Sequence, residues 1–137
     1  MNYGCDYING KQIPQMVVTS DTTVTGSHQG TIHVEQGVLT ISGEVHGTLD
    51  VQSGTKVIIS GKQYGTVSIA NNATVIVNHE LYGTVSVSNG GTLEVNSQAR
   101  MFGTLCNLGK VVIMGTYKGV HSGNEMIIKE TGRIINE

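Results

Sequence analysis

Short runs in which apolar and polar residues alternate recur along most of the chain. Val67 and Ile69 flank one serine, and Val85 and Val87 flank another. Because successive side chains of a β-strand point to opposite faces, a period of two predicts strands with one buried face. Each run is only three to five residues long and ends near glycine or asparagine. Strands this short do not make an ordinary β-sandwich.

A Gly-Thr-apolar phrase marks a repeat. It begins at positions 30, 47, 65, 83 and 103, so the intervals are 17, 18, 18 and 20 residues. A turn, a second alternating run and a second corner follow each phrase. Glycine at the corners is typical of tight turns with positive φ. The second corner is occupied by Gly26, Gly43, Gly61 and Gly115, and by His79 and Ser97 in two further repeats.

One repeat cannot bury its inward side chains alone, whereas stacked repeats close an apolar column and pair each strand with strands above and below. We therefore predict an all-β fold, namely a single-stranded right-handed parallel β-helix (β-solenoid) of about six coils of 16–20 residues. Two inward columns are expected, one of Val57, Val75, Leu93 and Val111 and the next of Ile59, Val77, Val95 and Ile113.

The two ends of the chain depart from the repeat. Residues 1–15 are predicted to form an N-terminal cap, because Asn9 and Gly10 favour a hairpin turn and Pro14 interrupts ladder pairing. Residues 16–137 are predicted to form the solenoid. Charged residues between Lys129 and Arg133 predict a C-terminal edge cap, since charge discourages pairing between exposed sheet edges.

Composition narrows the classes of function. The net charge is −2 and Lys and Arg form no run, so no nucleic-acid partner is expected. No stretch has the roughly 18 apolar residues of a membrane helix, so no membrane partner is expected either. The segment after Met1 lacks the basic start and apolar core of a signal peptide. If Met1 is the native start, we expect a cytoplasmic protein in which Cys5 and Cys106 are free thiols.

Two stretches resemble known β-helical families. The segment from Ile41 to Leu49 resembles the apolar-x-Gly-x-Val-x-Gly-x-apolar phrase of bactofilins, which are bacterial cytoskeletal proteins with a right-handed β-helix core. The segment from Gly83 to Val95 is similar to the repeats of self-associating autotransporter adhesins, which are also right-handed β-helices. Both resemblances imply the β-helix fold and a bacterial protein. The first implies a self-assembling scaffold, and the second implies a fragment of an adhesin passenger.

Side chains with reactive groups do not form a recognisable catalytic set. The acidic residues fall at scattered positions of the repeat, which disfavours a general acid/base pair on one face. No serine lies in a Gly-x-Ser-x-Gly elbow between strand and helix. We predict no enzyme activity, no metal, no cofactor and no small-molecule substrate. The histidines have no Cys, Asp or Glu at metal-binding spacing, and they are His28, His33, His46, His79 and His121.

The most informative surface signal is a column of residues that directly precede the Gly-Thr phrases. Stacked aromatic rings on neighbouring strands stabilise each other, so one interpretation is a purely structural ladder at a corner. The other is an exposed stripe that binds a protein, with Arg100 and Met101 beside it. A two-residue insertion within Gln98–Arg100 is expected to bulge the coil nearby. The column consists of Gln29, His46, Tyr64, Tyr82 and Phe102.

A second candidate surface follows the outward position of the second strand in each repeat. Three of its five members are apolar, which is unusual for a solvated face. It is therefore either an ordinary flat β-surface or an interface with a partner or another copy. Its members are Thr40, Ile58, Ile76, Glu94 and Val112.

These observations lead to one hypothesis with two alternatives. The first is a non-enzymatic bacterial β-solenoid that binds another protein through a flat face, as a cytosolic inhibitor or immunity-type protein whose partner is a toxin domain. The second is a bactofilin-like scaffold whose partner is another copy of itself. The third is an adhesin passenger fragment. The predicted contact residues are His46, Tyr64, Tyr82, Arg100, Met101, Phe102, Ile58, Ile76 and Val112.

Overall fold

A computed structural model describes residues 5–8, 11–14, 16–124, 126–129 and 132–135. Within these ranges the chain contains β-strands and turns and no helix. Short parallel strands stack into a solenoid of about six turns, so the predicted all-β solenoid is confirmed. Each turn passes through three ladders of strands, which we call faces 1, 2 and 3 in the order in which the chain visits them.

Each face is a stack of parallel strands, one from each turn. Face 1 contains Met16–Val18, Ile32–Val34, Leu49–Val51, Val67–Ile69 and His121–Gly123. Face 2 contains Thr22–Val24, Val38–Ile41, Lys56–Ile59, Thr74–Val77, Thr92–Val95, Lys110–Ile113 and Ile127–Ile128. Face 3 contains Ser27–Gln29, Glu44–His46, Lys62–Tyr64, Thr116–Lys118 and Arg133–Ile135. Two longer strands, Glu80–Val87 and Arg100–Asn107, begin in face 3 and continue into face 1.

The inward side chains form the two aliphatic columns that the sequence predicts in face 2. Val57 pairs with Leu39 below it and Val75 above it, and the register continues to Leu93 and Val111. All of these side chains are fully buried. Burying one such side chain is worth roughly 1.5–3 kcal/mol, which is more than the few hydrogen bonds of a three-residue strand contribute on their own. Packing between coils therefore holds the short strands in place.

A column of glycines forms the corner between faces 3 and 1. These glycines have positive φ, for example +123° at Gly65 and +130° at Gly83. Each lies directly over the glycine of the previous coil, so a Cβ on Gly65 would lie 2.4 Å from the Gly47 carbonyl oxygen. Conformation and contact both require glycine here, which explains the Gly of the Gly-Thr phrase. The column contains Gly30, Gly47, Gly65, Gly83, Gly103 and Gly119.

The corner between faces 2 and 3 corrects one sequence assignment. The amide of Arg100 bonds the His79 carbonyl, and the amide of Thr116 bonds the Ala99 carbonyl. Ala99 therefore takes the corner position after His79, and Ser97 does not. The insertion within Gln98–Arg100 forms a turn in which the Ala99 amide bonds the Asn96 carbonyl and Ala99 is buried. The extra residues are absorbed at this corner, and the strand that follows keeps its register.

The ends of the solenoid differ from its middle. Cys5–Ile8 pairs antiparallel with Lys11–Pro14, and Ile8 lies opposite Lys11. The turn residues Asn9 and Gly10 lie outside the described residues, and the division at residue 15 stays a prediction. At the other end, an inward column of face 1 changes from Val87 to the buried polar residue Asn107.

Asn107 shows how the core ends. Its side-chain oxygen accepts a hydrogen bond from the Gly109 amide at 3.1 Å, and its amide nitrogen donates to the Asn124 carbonyl at 3.2 Å. A buried amide of this kind is tolerated because both of its polar atoms are hydrogen-bonded. The last face 1 strand, His121–Gly123, is exposed along its whole length. Of the predicted C-terminal edge cap, Glu130 and Thr131 lie outside the described residues.

The glycine column predicts a large difference between two alanine substitutions. Gly65→Ala adds a left-handed backbone cost of about 1–2 kcal/mol to a backbone clash of about 1–3 kcal/mol. Gly54→Ala is the matched control, because Gly54 has φ +80° but open space around its Cβ position. We expect Gly65→Ala to lower the free energy of unfolding in urea by at least about 1 kcal/mol more than Gly54→Ala does. Equal losses would contradict the stacked-glycine account.

Candidate functional site

Four aromatic side chains stack along the outer surface of face 3. Each is the last residue of its face 3 segment and lies directly before the glycine corner. The strand register pairs His46 with Tyr64, Tyr64 with Tyr82, and Tyr82 with Phe102. The column predicted from the Gly-Thr spacing is therefore present. We call these four residues the aromatic ladder.

The rings of the aromatic ladder are almost parallel. Ring centroids are 4.7 Å apart between His46 and Tyr64, 5.1 Å between Tyr64 and Tyr82, and 5.2 Å between Tyr82 and Phe102. The interplanar angles are 10°, 6° and 11°. Such pairs contribute about 0.5–1.5 kcal/mol each beyond their buried area. Neighbouring rings cover each other's faces, so the ladder presents ring edges to solvent along its length.

The exposure of the ladder fits both interpretations given above. His46 is exposed, while Tyr64, Tyr82 and Phe102 are half-buried. The stacking is structural, since every ring contacts a ring of the next coil. The half-exposed edges leave an amphipathic strip that a partner can also contact. At its two ends the ladder continues to Gln29 and to Lys118, which are not aromatic.

A column of alternating charge runs beside the aromatic ladder. Two residues before each ring, face 3 carries an acidic or basic side chain, and the register places these side chains over one another. The Lys62 ammonium lies 3.8 Å from a carboxylate oxygen of Glu80. Exposed pairs of this kind add little stability, and the value of the pattern lies in its fixed order of charge. We call Glu44, Lys62, Glu80 and Arg100 the charge column.

The charge column corrects the expectation that the acidic residues are scattered. Glu44 and Glu80 occupy the same slot two coils apart, with Lys62 between them. The sequence carried a signal for this, namely the residue two positions before each aromatic. The insertion before Arg100 hides the fourth member, because it shifts the apparent period from 18 to 20 residues.

Glu80 connects the charge column to the aromatic ladder. The Tyr82 hydroxyl donates a hydrogen bond to a Glu80 carboxylate oxygen at 2.8 Å. This bond lowers the pKa of Glu80 below its ordinary value, and the charges of Lys62, His79 and Arg100 act in the same direction. The same bond raises the pKa of Tyr82, because ionising the phenol would remove the donor. His46 makes a similar contact with Glu44, at 3.2 Å.

One predicted contact residue of the aromatic column points the wrong way. Met101 lies between Leu81 and Tyr117 in the inward column of face 3 and is fully buried. It cannot touch a partner, so its placement beside the stripe was wrong. Arg100 is exposed at the end of the charge column, as the hypothesis requires. Tyr117 is also buried, and its hydroxyl donates to the Gly103 and Val120 carbonyl oxygens at 2.9 and 2.8 Å.

The second candidate surface lies on face 2 and is smaller than expected. The register confirms that Thr40, Ile58, Ile76, Glu94 and Val112 form one outward column. Ile58 and Ile76 are half-buried and remain accessible. Val112 is only 5% exposed, so its assignment as a contact residue was wrong. The last coil places Ile127 in the next position of the column, beyond Val112.

A cleft opens where the aromatic ladder ends. It has a volume of about 380 Å³ and is lined by Phe102, Lys118, Gly119 and Val120. We call it the ladder-end cleft. A second depression of about 300 Å³ lies at the corner between faces 2 and 3, beside Gly43, Gly61 and Lys62. Neither was visible in the sequence, because each depends on how side chains of neighbouring coils lie against one another.

Other polar groups are dispersed over the solenoid. On face 1, His33 Nδ1 lies 2.8 Å from an Asp50 carboxylate oxygen. In the part of the chain that the structure describes, no three His, Cys, Asp or Glu side chains come together as a metal site. None of the described segments forms a helix that could cross a membrane. Cys106, on the outer surface of face 1, is a free thiol.

Comparisons with known proteins identify no relative. Neither the protein-family models, nor the curated proteins, nor the solved structures gave a match to this chain. The two resemblances noted in the sequence therefore receive no support at the level of family. What stands is the β-solenoid fold and the geometry of face 3.

The bond between Tyr82 and Glu80 predicts a shift in titration. Because the folded-state pKa of Glu80 is lowered, its contribution to stability is present above the pKa of an unfolded glutamate and is lost as pH falls through the folded pKa. Tyr82→Phe should raise the Glu80 pKa toward its ordinary value, as measured by side-chain carboxyl NMR. Tyr64→Phe is the matched control, since Tyr64 does not bond Glu80. An unchanged Glu80 pKa in Tyr82→Phe would contradict the assignment.

Proposed function

We propose that this chain is a non-enzymatic solenoid that binds another protein through face 3. One observation carries the proposal: a stacked, half-exposed aromatic ladder lies beside a column of alternating charge on one rigid parallel sheet. Tyr and Arg are enriched among the residues that dominate binding energy at protein interfaces. The surface is flat and elongated, which suits a protein partner.

The rigidity of face 3 favours binding energetically. Each ring is held by stacking on its neighbours, and the Tyr82 hydroxyl is held by Glu80. Side chains that are already ordered lose little rotational freedom on binding, whereas each mobile side chain costs roughly 0.5–1.5 kcal/mol to immobilise. The ladder is therefore a preorganised contact strip.

The charge column predicts the character of the partner. Its order along the solenoid is acidic, basic, acidic and basic at Glu44, Lys62, Glu80 and Arg100. A complementary surface carries the opposite order at intervals of about 4.8 Å, the spacing of neighbouring strands. A partner shifted by one coil would meet like charges, so the column selects the register of docking as well as the partner.

Within this proposal, an inhibitor of a toxin domain is the role we favour. A rigid face that masks a partner's surface needs no chemistry of its own, and a single small solenoid is sufficient for it. In this role the protein acts in the cytoplasm of a bacterium, where a toxin must be neutralised. The two partners would then be encoded next to each other.

Substitutions on two faces test which surface binds. The partner is recovered from the native cell, produced separately and titrated against the solenoid by calorimetry. We expect Arg100→Ala and Tyr64→Leu to weaken binding by about 30-fold, the loss of a residue worth about 2 kcal/mol. Ile58→Lys on face 2 is the control and should change the affinity by less than about twofold. Circular dichroism confirms that each variant is folded.

Two results would count against face 3. Loss of binding in Ile58→Lys, with Arg100→Ala unaffected, would move the interface to face 2. Failure to recover any partner that binds the purified solenoid would remove the protein-binding proposal itself. A fall in binding in Arg100→Ala alone would still support face 3, because Arg100 is exposed and its removal leaves the core intact.

Self-association is a second candidate, and one observation favours it. The large exposed apolar residues of the described chain all lie in its last two coils. Val120 is 73% exposed, and Ile127 and Ile128 are 40% and 44% exposed. An uncovered final coil also presents unpaired strand edges, which are templates for pairing with another chain. Two copies meeting at these ends would cover this surface.

Sedimentation velocity tests the second candidate. If the last coil is a self-association surface, the protein at about 100 μM should sediment as a dimer or larger species. The double variant Ile127→Lys and Ile128→Lys should then sediment as a monomer, since two added charges oppose contact between like surfaces. Ile58→Lys is the matched control and should not change the oligomeric state. A monomeric wild-type protein at this concentration would end the self-association hypothesis.

A further inference from the structure

The aromatic ladder covers its own ring faces except at its ends. Tyr64 and Tyr82 each have a ring on both sides at about 5 Å. Phe102 has Tyr82 on one side only, and the next residue in its column is Lys118. A further ring could therefore stack on the outer face of Phe102, where the chain itself supplies none.

The backbone leaves room for such a ring. Gly119, in the wall of the ladder-end cleft, has φ +147°, and a Cβ there would lie 1.8 Å from the Gly103 carbonyl oxygen. The stacked-glycine corner therefore keeps this wall free of a side chain. The cleft volume of about 380 Å³ is at the small end of the range for ligand sites, a size suited to one large side chain.

The opposite wall carries an unusual residue. The register places Val120 directly after Thr104 in a column where the preceding coils have threonine at Thr31, Thr48, Thr66, Thr84 and Thr104. Val120 replaces a hydroxyl by a methyl group and is nevertheless 73% exposed. The one apolar member of this column thus borders the cleft at the end of the aromatic ladder.

We propose that the ladder-end cleft receives an aromatic side chain of the partner protein, with an acidic group next to it. The ring stacks on Phe102 as the next member of the ladder and contacts Val120 on its other side. The Lys118 ammonium, at the same cleft, attracts the carboxylate. This inference rests on the proposed protein-binding function and names the partner's anchor residue.

A model compound can test the cleft without the partner. N-acetyl-tryptophan supplies an aromatic ring and a carboxylate, N-acetyl-tryptophanamide supplies the ring alone, and N-acetyl-leucine supplies the carboxylate without a ring. Each is titrated into the ¹⁵N-labelled protein while amide shifts are followed. We expect saturable shifts centred on Gly119 and Val120, with millimolar affinity. N-acetyl-tryptophan should bind about threefold to tenfold tighter than either of the other two compounds.

Three variants assign the contacts. Phe102→Leu removes the ring face and should weaken N-acetyl-tryptophan binding about threefold to tenfold. Val120→Thr restores the residue of the other coils and should weaken it about twofold or more, which keeps the test usable if Phe102→Leu does not fold. Lys118→Gln should abolish the preference for N-acetyl-tryptophan over its amide. Gln29→Ala, at the opposite end of the ladder, is the control and should change nothing.

The outcomes separate this inference from the proposed function. Absence of saturable shifts, or shifts that ignore both Phe102→Leu and Val120→Thr, would overturn the ladder-end site even if a partner binds face 3. Shifts that respond to these variants, together with weaker partner binding in Val120→Thr, would support it. If the compound binds but no protein partner exists, the cleft is an aromatic site and the protein-binding function fails.

Discussion

The structure depends on one constraint, which is that each short strand finds its hydrogen-bonding partners only in the coils above and below it. Residues in the same slot of successive coils are therefore held about 4.8 Å apart. At this spacing, like residues must tolerate each other as direct neighbours. Aliphatic side chains do so inside the solenoid, as in the column through Val57 and Val75. Glycines do so at the corner, and aromatic rings do so on the surface.

The glycine corner links the core to the surface site. Gly65 lies so close to Gly47 that no side chain fits between the coils. The adjoining residue, Tyr64, is consequently held next to a wall of bare backbone, in register with Tyr82. The same geometry stacks the rings and, one coil beyond Phe102, leaves a cleft beside Gly119. The position of the candidate site is thus a consequence of the way the coils pack.

The repeat is most informative where it breaks. Inside, the aliphatic column of face 1 gives way to Asn107, whose amide is satisfied by the final coil. Outside, the aromatic ladder gives way to Lys118 and the threonine column to Val120. These changes coincide in the last two coils, together with exposed Ile127 and Ile128. Surface chemistry is therefore concentrated at the C-terminal end of the solenoid.

The sequence by itself determined the coils, the inward columns and the aromatic ladder, because period and strand parity are local properties that a repeat displays directly. Only the tertiary structure decided which of these residues a partner can reach. Val112 has outward parity but is nearly buried, and Met101 was obscured by the insertion that shifts its apparent slot. The pairing of Lys62 with Glu80 and the cleft beside Phe102 arise between coils. Exposure and contact depend on neighbours distant along the chain, which a repeat pattern does not contain.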